Sequence, residues 1–434
     1  MAKAAAPAHV SSARAWSVLG LLAFVYVLNF LDRQLLSILA KPIQDSLHIS
    51  DSQLGRIGGL YFAAFYCFIS IPVGWLADRT NRVRVLSFAC ALWSAATVAC
   101  GLSANYSQLV LARMSVGVGE AGGVPPSYAI ISDTFPPGRR GAALGLFNLG
   151  PPIGQALGVA FGASIAAAFS WRHAFVALGA VGIFAAVAVL AFVREPRRGG
   201  LDIAPGADAP APVKKAGLIP TIGMFFSRPT LVLMALACGA NQFVTYGVSN
   251  FTTLFLMREK GMTLTEVALW YALVVGIGMS AGIALSGRLT DWLTRRSKVA
   301  YALMPAISLM FAAPLFVGFL QAPTWQIATA FLLGPTFFNY FYLSAAVTFV
   351  QEEVQPHQRV MSGALLLLVM NMIGLGLGPT YVGAASDYFK AHGAAHPLQF
   401  AFYTMLPFYA LAIVLFLWLA WLLRNKRSKA GETR

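Results

Sequence analysis

Charged residues are scarce in this chain of 434 residues, where they make up 11% of the sequence against 58% hydrophobic residues. A soluble domain has about 25% charged residues. The shortage is concentrated in long apolar stretches that alternate with short arginine-rich segments. A helix needs about 20 mostly apolar residues to cross a bilayer. The composition therefore excludes an ordinary soluble protein and indicates an integral membrane protein.

Metal-binding, disulfide and ATP-hydrolysing motifs are also missing. The four cysteines all fall inside apolar stretches, which is typical of buried thiols rather than of a disulfide framework or a metal site. No stretch reads Gly-x4-Gly-Lys-Ser/Thr, so ATP-driven pumping is disfavoured. We expect no metal and no cofactor, and a proton gradient as the energy source.

The apolar stretches predict twelve transmembrane helices. Lipid offers no partner for exposed backbone, so these segments must be helical. The predicted spans are 16–40, 54–76, 84–103, 107–130, 141–166, 172–193, 229–256, 266–290, 299–320, 325–350, 360–386 and 398–423.

Most of the 31 Lys and Arg residues fall in loops on one side of this arrangement, the side that also holds both termini. Basic loops stay in the cytoplasm, so we expect both termini inside. The basic surplus then reflects topology and not nucleic-acid binding. The polar, Ala/Pro/Gly-rich segment after the sixth span predicts a division into a six-helix bundle at 1–193, a cytoplasmic linker at 194–228 and a second six-helix bundle at 229–434.

The two halves repeat each other. Gly74-x-Leu76-x-Asp78 with Arg82 recurs as Gly287-x-Leu289-x-Asp291 with Arg295, in both cases after the second span of the half. Ser50-x-x-Gln53 and Thr263-x-x-Glu266 are capping-box patterns before those spans. Two pseudo-symmetric bundles with a site between them near mid-membrane are a known transporter plan.

The loop after the second span resembles the signature of the major facilitator superfamily. Gly150-Pro151-Pro152-Ile153-Gly154-Gln155 is similar to the Gly/Pro motif of its fifth helix. Asn29-Phe30-Leu31-Asp32-Arg33 and Arg113-x3-Gly117-x-Gly119-Glu120 resemble the Spinster branch, which implies a transporter of lysolipids or sphingoid lipids. Thr80-Asn81 departs from the superfamily loop, which usually has a Gly there.

Four ionisable residues lie well inside predicted spans: Asp32 and Arg33 in the first, Arg113 and Glu120 in the fourth. A charge near the bilayer centre costs about 2.5 kcal/mol or more, so such residues usually form ion pairs, face water or have a functional role. Burial raises the proton affinity of a carboxylate and a nearby Arg lowers it. We expect the four to border a wet cavity, with Asp32 and Glu120 carrying a proton and Arg33 and Arg113 tuning them and holding an anionic group. A purely structural ion-pair network is the alternative.

The second half has no matching charges and offers neutral polar groups instead. These candidate substrate-binding residues are Asn241, Gln242, Tyr246, Asn339, Tyr340, Tyr342 and Asn371. Interhelical hydrogen bonding is an equally plain reading of each. Bases on one wall and aromatic residues on the other suit an amphipathic anion or zwitterion.

A cytoplasmic gate is predicted at the loops that carry the repeated motif. Its candidate residues are Asp78, Arg79, Arg82, Asp133, Arg139, Asp291 and Arg295. Charges there could bridge the two halves in one state and separate in another.

The function favoured by these patterns is proton-coupled transport of an amphipathic lipid by alternating access, in a monomer of a bacterial inner membrane. A symporter of sugar acids or other small organic anions and a drug exporter share the fold. An intramembrane enzyme is the remaining alternative, and no protease-like pattern supports it.

Overall fold

The structure is a computed structural model that describes residues 12–198, 218–355 and 358–432. Its described part is built of helices, eleven of which are long and apolar enough to cross a membrane. A twelfth crossing consists of two shorter helices in line. The crossings are α1 Ala13–Ile38, α2 Asp51–Ala77, α3 Arg82–Leu102, α4 Tyr106–Glu120 with Val124–Thr134, α5 Gly138–Ala168, α6 Trp171–Phe192, α7 Pro229–Glu259, α8 Leu264–Thr294, α9 Ala300–Gln321, α10 Trp325–Glu353, α11 Met361–Ala391 and α12 Pro397–Asn425.

The predicted twelve-span, all-helical fold is thus confirmed. Large apolar side chains cover its outside: Phe88 and Phe184 are 72% and 75% exposed. Such a surface suits hydrocarbon as the solvent and not water.

The two halves pack in the same order, which confirms two pseudo-symmetric bundles. In the first half α1 packs on α5 and α6, α2 on α4, and α3 on α4 and α6. In the second half α7 packs on α11 and α12, α8 on α10, and α9 on α10 and α12. Each pair in one list corresponds to a pair six helices further along the chain.

Both predicted capping boxes are present. The hydroxyl of Ser50 accepts a hydrogen bond from the backbone N–H of Gln53, and the side-chain oxygen of Gln53 accepts one from the backbone N–H of Ser50. Thr263 and Glu266 make the same exchange. Each cap leads into a π-helical turn, Ile57–Tyr61 in α2 and Val267–Tyr271 in α8, so the repeat extends to irregular backbone.

The crossing α4 is interrupted directly after Glu120. The backbone N–H of Gly123 donates to the carbonyl of Glu120 at 3.0 Å, which closes a tight turn. Pro125 and Pro126 then occupy the first turn of the next helix, where a missing N–H costs nothing. The interruption leaves Glu120 as the last residue of its half-helix.

The halves meet along three helix pairs: α1 with α7, α2 with α11, and α5 with α8. At the α2–α11 seam Gly59 lies against Gly376 and Thr380. A Cβ on Gly59 would fall 2.6 Å from the carbonyl oxygen of Gly376 and 2.9 Å from Oγ1 of Thr380. Only a glycine allows backbone to approach backbone this closely.

The division of the chain at 194–228 stays a prediction, because residues 199–217 lie outside the described residues. Within its second part the structure places a helix, Leu218–Ser227, that packs against α7 and α11. Phe225 of this helix is buried. This end of the predicted linker is therefore a docked element.

Candidate functional site

The four charged residues predicted inside the membrane form two ion pairs between α1 and α4. Nε of Arg33 donates to Oε2 of Glu120 at 2.6 Å. Nη1 of Arg113 lies 3.7 Å from Oδ2 of Asp32. The same Oδ2 accepts a hydrogen bond of 2.9 Å from the hydroxyl of Thr97 in α3. The expected grouping is therefore present, and the structure adds the pairing and the Thr97 contact.

Burial differs within this quartet of Asp32, Arg33, Arg113 and Glu120. The side chains of Asp32, Arg113 and Glu120 are at most 2% exposed, whereas that of Arg33 is 13% exposed. Burial of Asp32, Arg113 and Glu120 does not fit the expectation that all four border a wet cavity, and for the partly exposed Arg33 that expectation stays a prediction. The cause of the burial is close packing of α3 on α4: a Cβ on Gly119 would lie 2.6 Å from the backbone nitrogen of Trp93.

Aromatic rings surround the exposed member of the quartet. The guanidinium of Arg33 lies 4.9 Å from the ring centre of Phe30, 5.2 Å from that of Phe62 and 4.7 Å from that of Tyr66. Phe62 is also 5.2 Å from the guanidinium of Arg113. Ring faces attract cations, so the three rings stabilise Arg33 and Phe62 also stabilises Arg113. Phe62 and Tyr66 were not foreseen, because aromatic residues are common in every span.

Tyr246 approaches the quartet from the second half. It lies near enough to Arg33 for an electrostatic interaction and is half-buried. Arg33 of the first half and Tyr246 of the second are therefore electrostatic neighbours across the boundary between the halves. Of the candidate residues in the second half, Tyr246 has the position best suited to a substrate site formed by both halves.

Four other candidates in the second half bond to neighbouring helices. The amide of Asn241 donates to the backbone carbonyl of Asn339 at 2.9 Å, and the amide of Asn339 donates to the hydroxyl of Tyr409 at 2.9 Å. The amide of Gln242 donates to the hydroxyl of Tyr342 at 2.8 Å. These residues are buried, so interhelical bonding accounts for much of their polarity.

Tyr340 and Asn371 are half-buried. Tyr340 lines a partly open cavity of about 50 Å³ between α5, α7, α8, α9, α10 and α12, together with Gln155, Thr245, Ser249 and Thr252. Apolar side chains such as Val248, Met279 and Phe316 make up the rest of the lining, and a cavity of this size can hold water. Tyr340 therefore lies at a small cavity where residues of both halves meet.

The predicted gate residues divide into one buried cluster and several exposed charges. Arg82 is 4% exposed and bonds Asp133 of α4 and Glu195 after α6, each at 2.6 Å. Glu195 was not foreseen as part of this cluster. Asp133 belongs to the same half as Arg82, and Glu195 follows directly after α6 at the start of the predicted linker, so these bonds clamp α3, α4 and the end of α6 together.

The remaining gate candidates are solvent-exposed where they are described. Arg79 lies over the ring of Trp75 at 4.0 Å, and Arg139, Asp291 and Arg295 are exposed. The side chain of Asp78 lies outside the described residues. A gating role for this set stays a prediction.

Replacing Arg82 with Gln is expected to lower the unfolding temperature of the protein in detergent. Two partly buried carboxylates would each lose a hydrogen bond from a cation, and a hydrogen bond to a charged group contributes about 1.5–3 kcal/mol. Arg84→Gln is the matched control, because Arg84 is exposed and two residues away. Equal unfolding temperatures for the two variants would show that the clamp contributes nothing to stability.

Polar contacts between the halves concentrate at the other end of the molecule. Arg258 of α7 forms a bidentate pair with Asp51 of α2, at 2.8 and 3.1 Å. Gln44 and Ser386 donate to the same carboxylate at 2.6 and 2.7 Å. Asp387 accepts from the backbone of Asp51 at 3.2 Å. We call these five residues the latch and this end the latched end.

The sequence did not suggest the latch, because its members are single residues at predicted loop boundaries. Asp51 is only 3% exposed. In hindsight the signal is an acidic residue directly after the capping Ser50, opposite the Arg-Glu-Lys run that ends α7. No metal-binding group of His, Cys, Asp or Glu occurs among the described residues.

Residues 22–379 match the family profile described as Major Facilitator Superfamily. An MFS-type efflux pump of Mycolicibacterium smegmatis is 31% identical over 97% of this chain and 96% of that protein. A hexuronate transporter of Bacillus subtilis is 26% identical over 83% of this chain and 85% of that protein. A crystal structure of a bacterial homologue of the human lysosomal transporter Spinster, inward-facing and unoccupied, superposes with a TM-score of 0.86 at 28% identity, covering 96% of this chain and 99% of that one. The resemblance to Spinster found in the sequence is thereby confirmed.

Proposed function

The chain belongs to the major facilitator superfamily, and from that premise we propose that it is a proton-coupled transporter of lysophospholipid or sphingoid-type lipids that works by alternating access. The observation that carries the proposal is the bond between Arg33 and Glu120. In this bond Arg33, the partly exposed member of the quartet, forms an ion pair with the buried carboxylate of Glu120. A cation at the edge of the site is thus tied to a group that can take up a proton.

The proposed coupling step is a competition for Arg33. While Glu120 is ionised, it neutralises Arg33 at 2.6 Å. Protonation of Glu120 removes that partner and leaves the guanidinium, with its ring of Phe30, Phe62 and Tyr66, free to hold an anionic group of the substrate. Release of the proton on the other side restores the ion pair and expels the anionic group. Asp32 and Arg113, deeper in the same half, are the second proton-linked pair.

The proposed orientation places the latch on the outer side and the Arg82 cluster in the cytoplasm. Basic loops stay inside, and both termini then lie in the cytoplasm. The conformation would be the inward-facing one, which is also the state of the solved bacterial homologue. Bacterial relatives favour the inner membrane as the location, and we propose a monomer as the working unit.

The amphipathic substrate class is supported by the composition of the site. A cation flanked by several aromatic rings suits a charged headgroup. Phe337, Phe338 and Phe341 form a separate apolar cluster in α10, with ring centres 4.9–5.7 Å apart, which we propose as the surface for the lipid chain. The hexuronate transporter and the efflux pump among the relatives favour sugar acids or drugs as second candidates. A transporter family disfavours the intramembrane enzyme.

Lysophosphatidylcholine, but not galacturonate, is expected to raise the unfolding temperature of the purified protein. A ligand at 100 times its Kd stabilises the folded state by about 2.7 kcal/mol. The variant Arg33→Gln should lose the response, and the exposed Arg84→Gln should keep it, which separates binding from a detergent effect. A response to galacturonate alone would replace the lipid proposal with the sugar-acid one.

A further inference from the structure

The cavity beside Tyr340 is lined almost wholly by the second half of the chain. Of the described residues that line it, only Gln155 of α5 belongs to the first half. The others come from α7, α8, α9, α10 and α12. Gln155 is the polar residue that ends the Gly/Pro motif of α5. It therefore brings an amide of one half to a cavity of the other.

The hydrogen bonds that the structure describes for the Gln155 amide are weak. Its Nε2 donates to the thioether sulfur of Met279 at 3.2 Å, and such a sulfur is a weak acceptor. Its Oε1 accepts from the amide of Gln34 at 3.4 Å, a length beyond the usual range for N–H···O bonds. Tyr340 also interacts with the side chain of Gln155. A substrate group that is a better donor or acceptor can therefore replace these bonds at little cost.

The polar part of the cavity lining is uncharged at neutral pH. Thr245, Ser249 and Thr252 of α7 provide hydroxyl groups, Tyr340 provides a phenol and Asn339 provides an amide. Lys, Arg, His, Asp and Glu are absent from the described residues that line the cavity. A buried charge needs a partner of opposite charge, whereas a neutral polar group needs only hydrogen bonds. The lining therefore suits a neutral hydrogen-bonding group.

The size of the cavity limits the group that fits. Its volume is about 50 Å³, and a single water molecule needs roughly 10–15 Å³ of such space. The cavity has room for a hydroxyl group with the carbon atom that bears it. A lipid chain is far too large, so the chain of a lipid substrate lies elsewhere.

Two contacts place this cavity next to the proposed headgroup site at Arg33. Gln34, which follows Arg33 in α1, bonds directly to Gln155. Tyr246 interacts electrostatically with both Arg33 and Tyr340. A substrate whose anionic group binds Arg33 can therefore present a neighbouring polar group to the cavity.

We propose that this cavity recognises a free hydroxyl group of the lipid substrate and that Gln155 is its specificity-determining residue. The inference rests on the proposed function and names the feature of the substrate that is selected. Lysophospholipids have a free hydroxyl on the glycerol backbone, and sphingoid lipids have one near the head of the chain. In a diacyl phospholipid that oxygen is esterified, which removes the donor and adds a chain that the cavity cannot admit.

Two ether lipids that differ at one oxygen test the site in the wild-type protein. Octadecyl glycerophosphocholine has a free hydroxyl, and in its methyl ether that hydroxyl is blocked while the headgroup and the chain are unchanged. Uptake into proteoliposomes under the same pH gradient should be about tenfold or more slower for the methyl ether, because a site that bonds a hydroxyl rejects an analogue without it. Equal uptake of the two lipids would overturn the proposal.

The variant Gln155→Met removes the amide at nearly the same side-chain volume. It should slow uptake of the hydroxyl lipid and leave that of the methyl ether unchanged, and Tyr340→Phe should act in the same direction. Gln326→Met is the matched control, because Gln326 is exposed in the first turn of α10, and it should keep the selectivity of the wild type.

The pattern of uptake separates the possible roles of Gln155. A purely structural role would slow both lipids equally in Gln155→Met, and that result would overturn the assignment of this residue. Uptake of neither lipid by the wild type, measured against protein-free liposomes, would contradict the proposed function and the hydroxyl site together. Uptake of both lipids at one rate would contradict the hydroxyl site alone.

Discussion

Replacing Glu120 with Gln is expected to abolish uptake driven by a pH gradient while leaving the protein folded. Gln keeps an oxygen that can accept from Nε of Arg33, but it cannot carry a proton. Arg33 is 13% exposed, so water can compensate for the lost charge. The measurement is uptake of lysophosphatidylcholine into proteoliposomes with an imposed pH gradient, compared with exchange of the same lipid at equal pH.

Exchange without net proton movement should survive in Glu120→Gln, because the substrate-binding cation is still present. Asp32→Asn should lose gradient-driven uptake as well, with an added loss of folded stability. Its partner Arg113 is 2% exposed, and removing one member of a buried pair costs about 3–5 kcal/mol. Asp45→Asn is the control, since Asp45 pairs with Lys41 at the surface. Normal uptake with unchanged pH dependence in both Glu120→Gln and Asp32→Asn would rule out these residues as proton carriers.

Breaking the latch should shift the protein toward a state that opens at the latched end. In Arg258→Gln the nearly buried carboxylate of Asp51 loses its bidentate partner, a loss of about 3–5 kcal/mol for a buried pair. Since 1.4 kcal/mol is a factor of ten in an equilibrium constant, the population ratio should change by roughly a hundredfold or more. Spin labels at positions 46 and 395, one in each half at this end, should be farther apart in Arg258→Gln than in the wild type. Pulsed electron paramagnetic resonance measures this distance.

A double-mutant cycle separates the latch from a general loss of stability. Asp51→Asn combined with Arg258→Gln removes both charges and should recover part of the effect of Arg258→Gln alone. Lys41→Gln is the matched control, because its pair with Asp45 is exposed and lies within one half; such pairs contribute about 0–1 kcal/mol. An unchanged label distance in Arg258→Gln would show that the latch does not hold this end closed.

The fold was predictable because lipid imposes a strong rule on sequence. Twelve apolar segments, their helical nature and the internal repeat all follow from composition and spacing. Even the capping boxes at Ser50 and Thr263 were visible, since a capping box depends on residues three positions apart. The interruption of α4 at Glu120 was less clear, because Gly and Pro residues fit bending and close packing equally well.

The site was only partly predictable, because burial depends on neighbours that a linear pattern does not specify. The quartet could be recognised from the rarity of charge inside spans. Which acid pairs with which base, and the fact that only Arg33 is exposed, required the packing of α3 and α4. Asn241 and Gln242 show the limit in the other half: their sequence positions fit a substrate wall, yet their amides bond to α10.

The latch and the Arg82 cluster show why long-range polar contacts were missed. Arg82 was assigned to a gate between halves, but its observed partners are Asp133 of its own half and Glu195 directly after α6. Arg258 and Asp51 are more than 200 positions apart, and neither belongs to a recognisable motif. A single sequence contains no signal that links such residues.

The glycine seam between α2 and α11 also bears on how quickly the molecule can reorient. At Gly59 and Gly376 the backbones of the halves approach closely, and the main side chain at this contact is the small Thr380, whose hydroxyl accepts from the backbone N–H of Leu60 at 3.2 Å. The two halves can therefore rotate about this seam with little side-chain rearrangement, and the latch holds them together at one end. The barrier to reorientation would then reside in a few polar bonds that solvent can replace, and not in the unpacking of a helix interface.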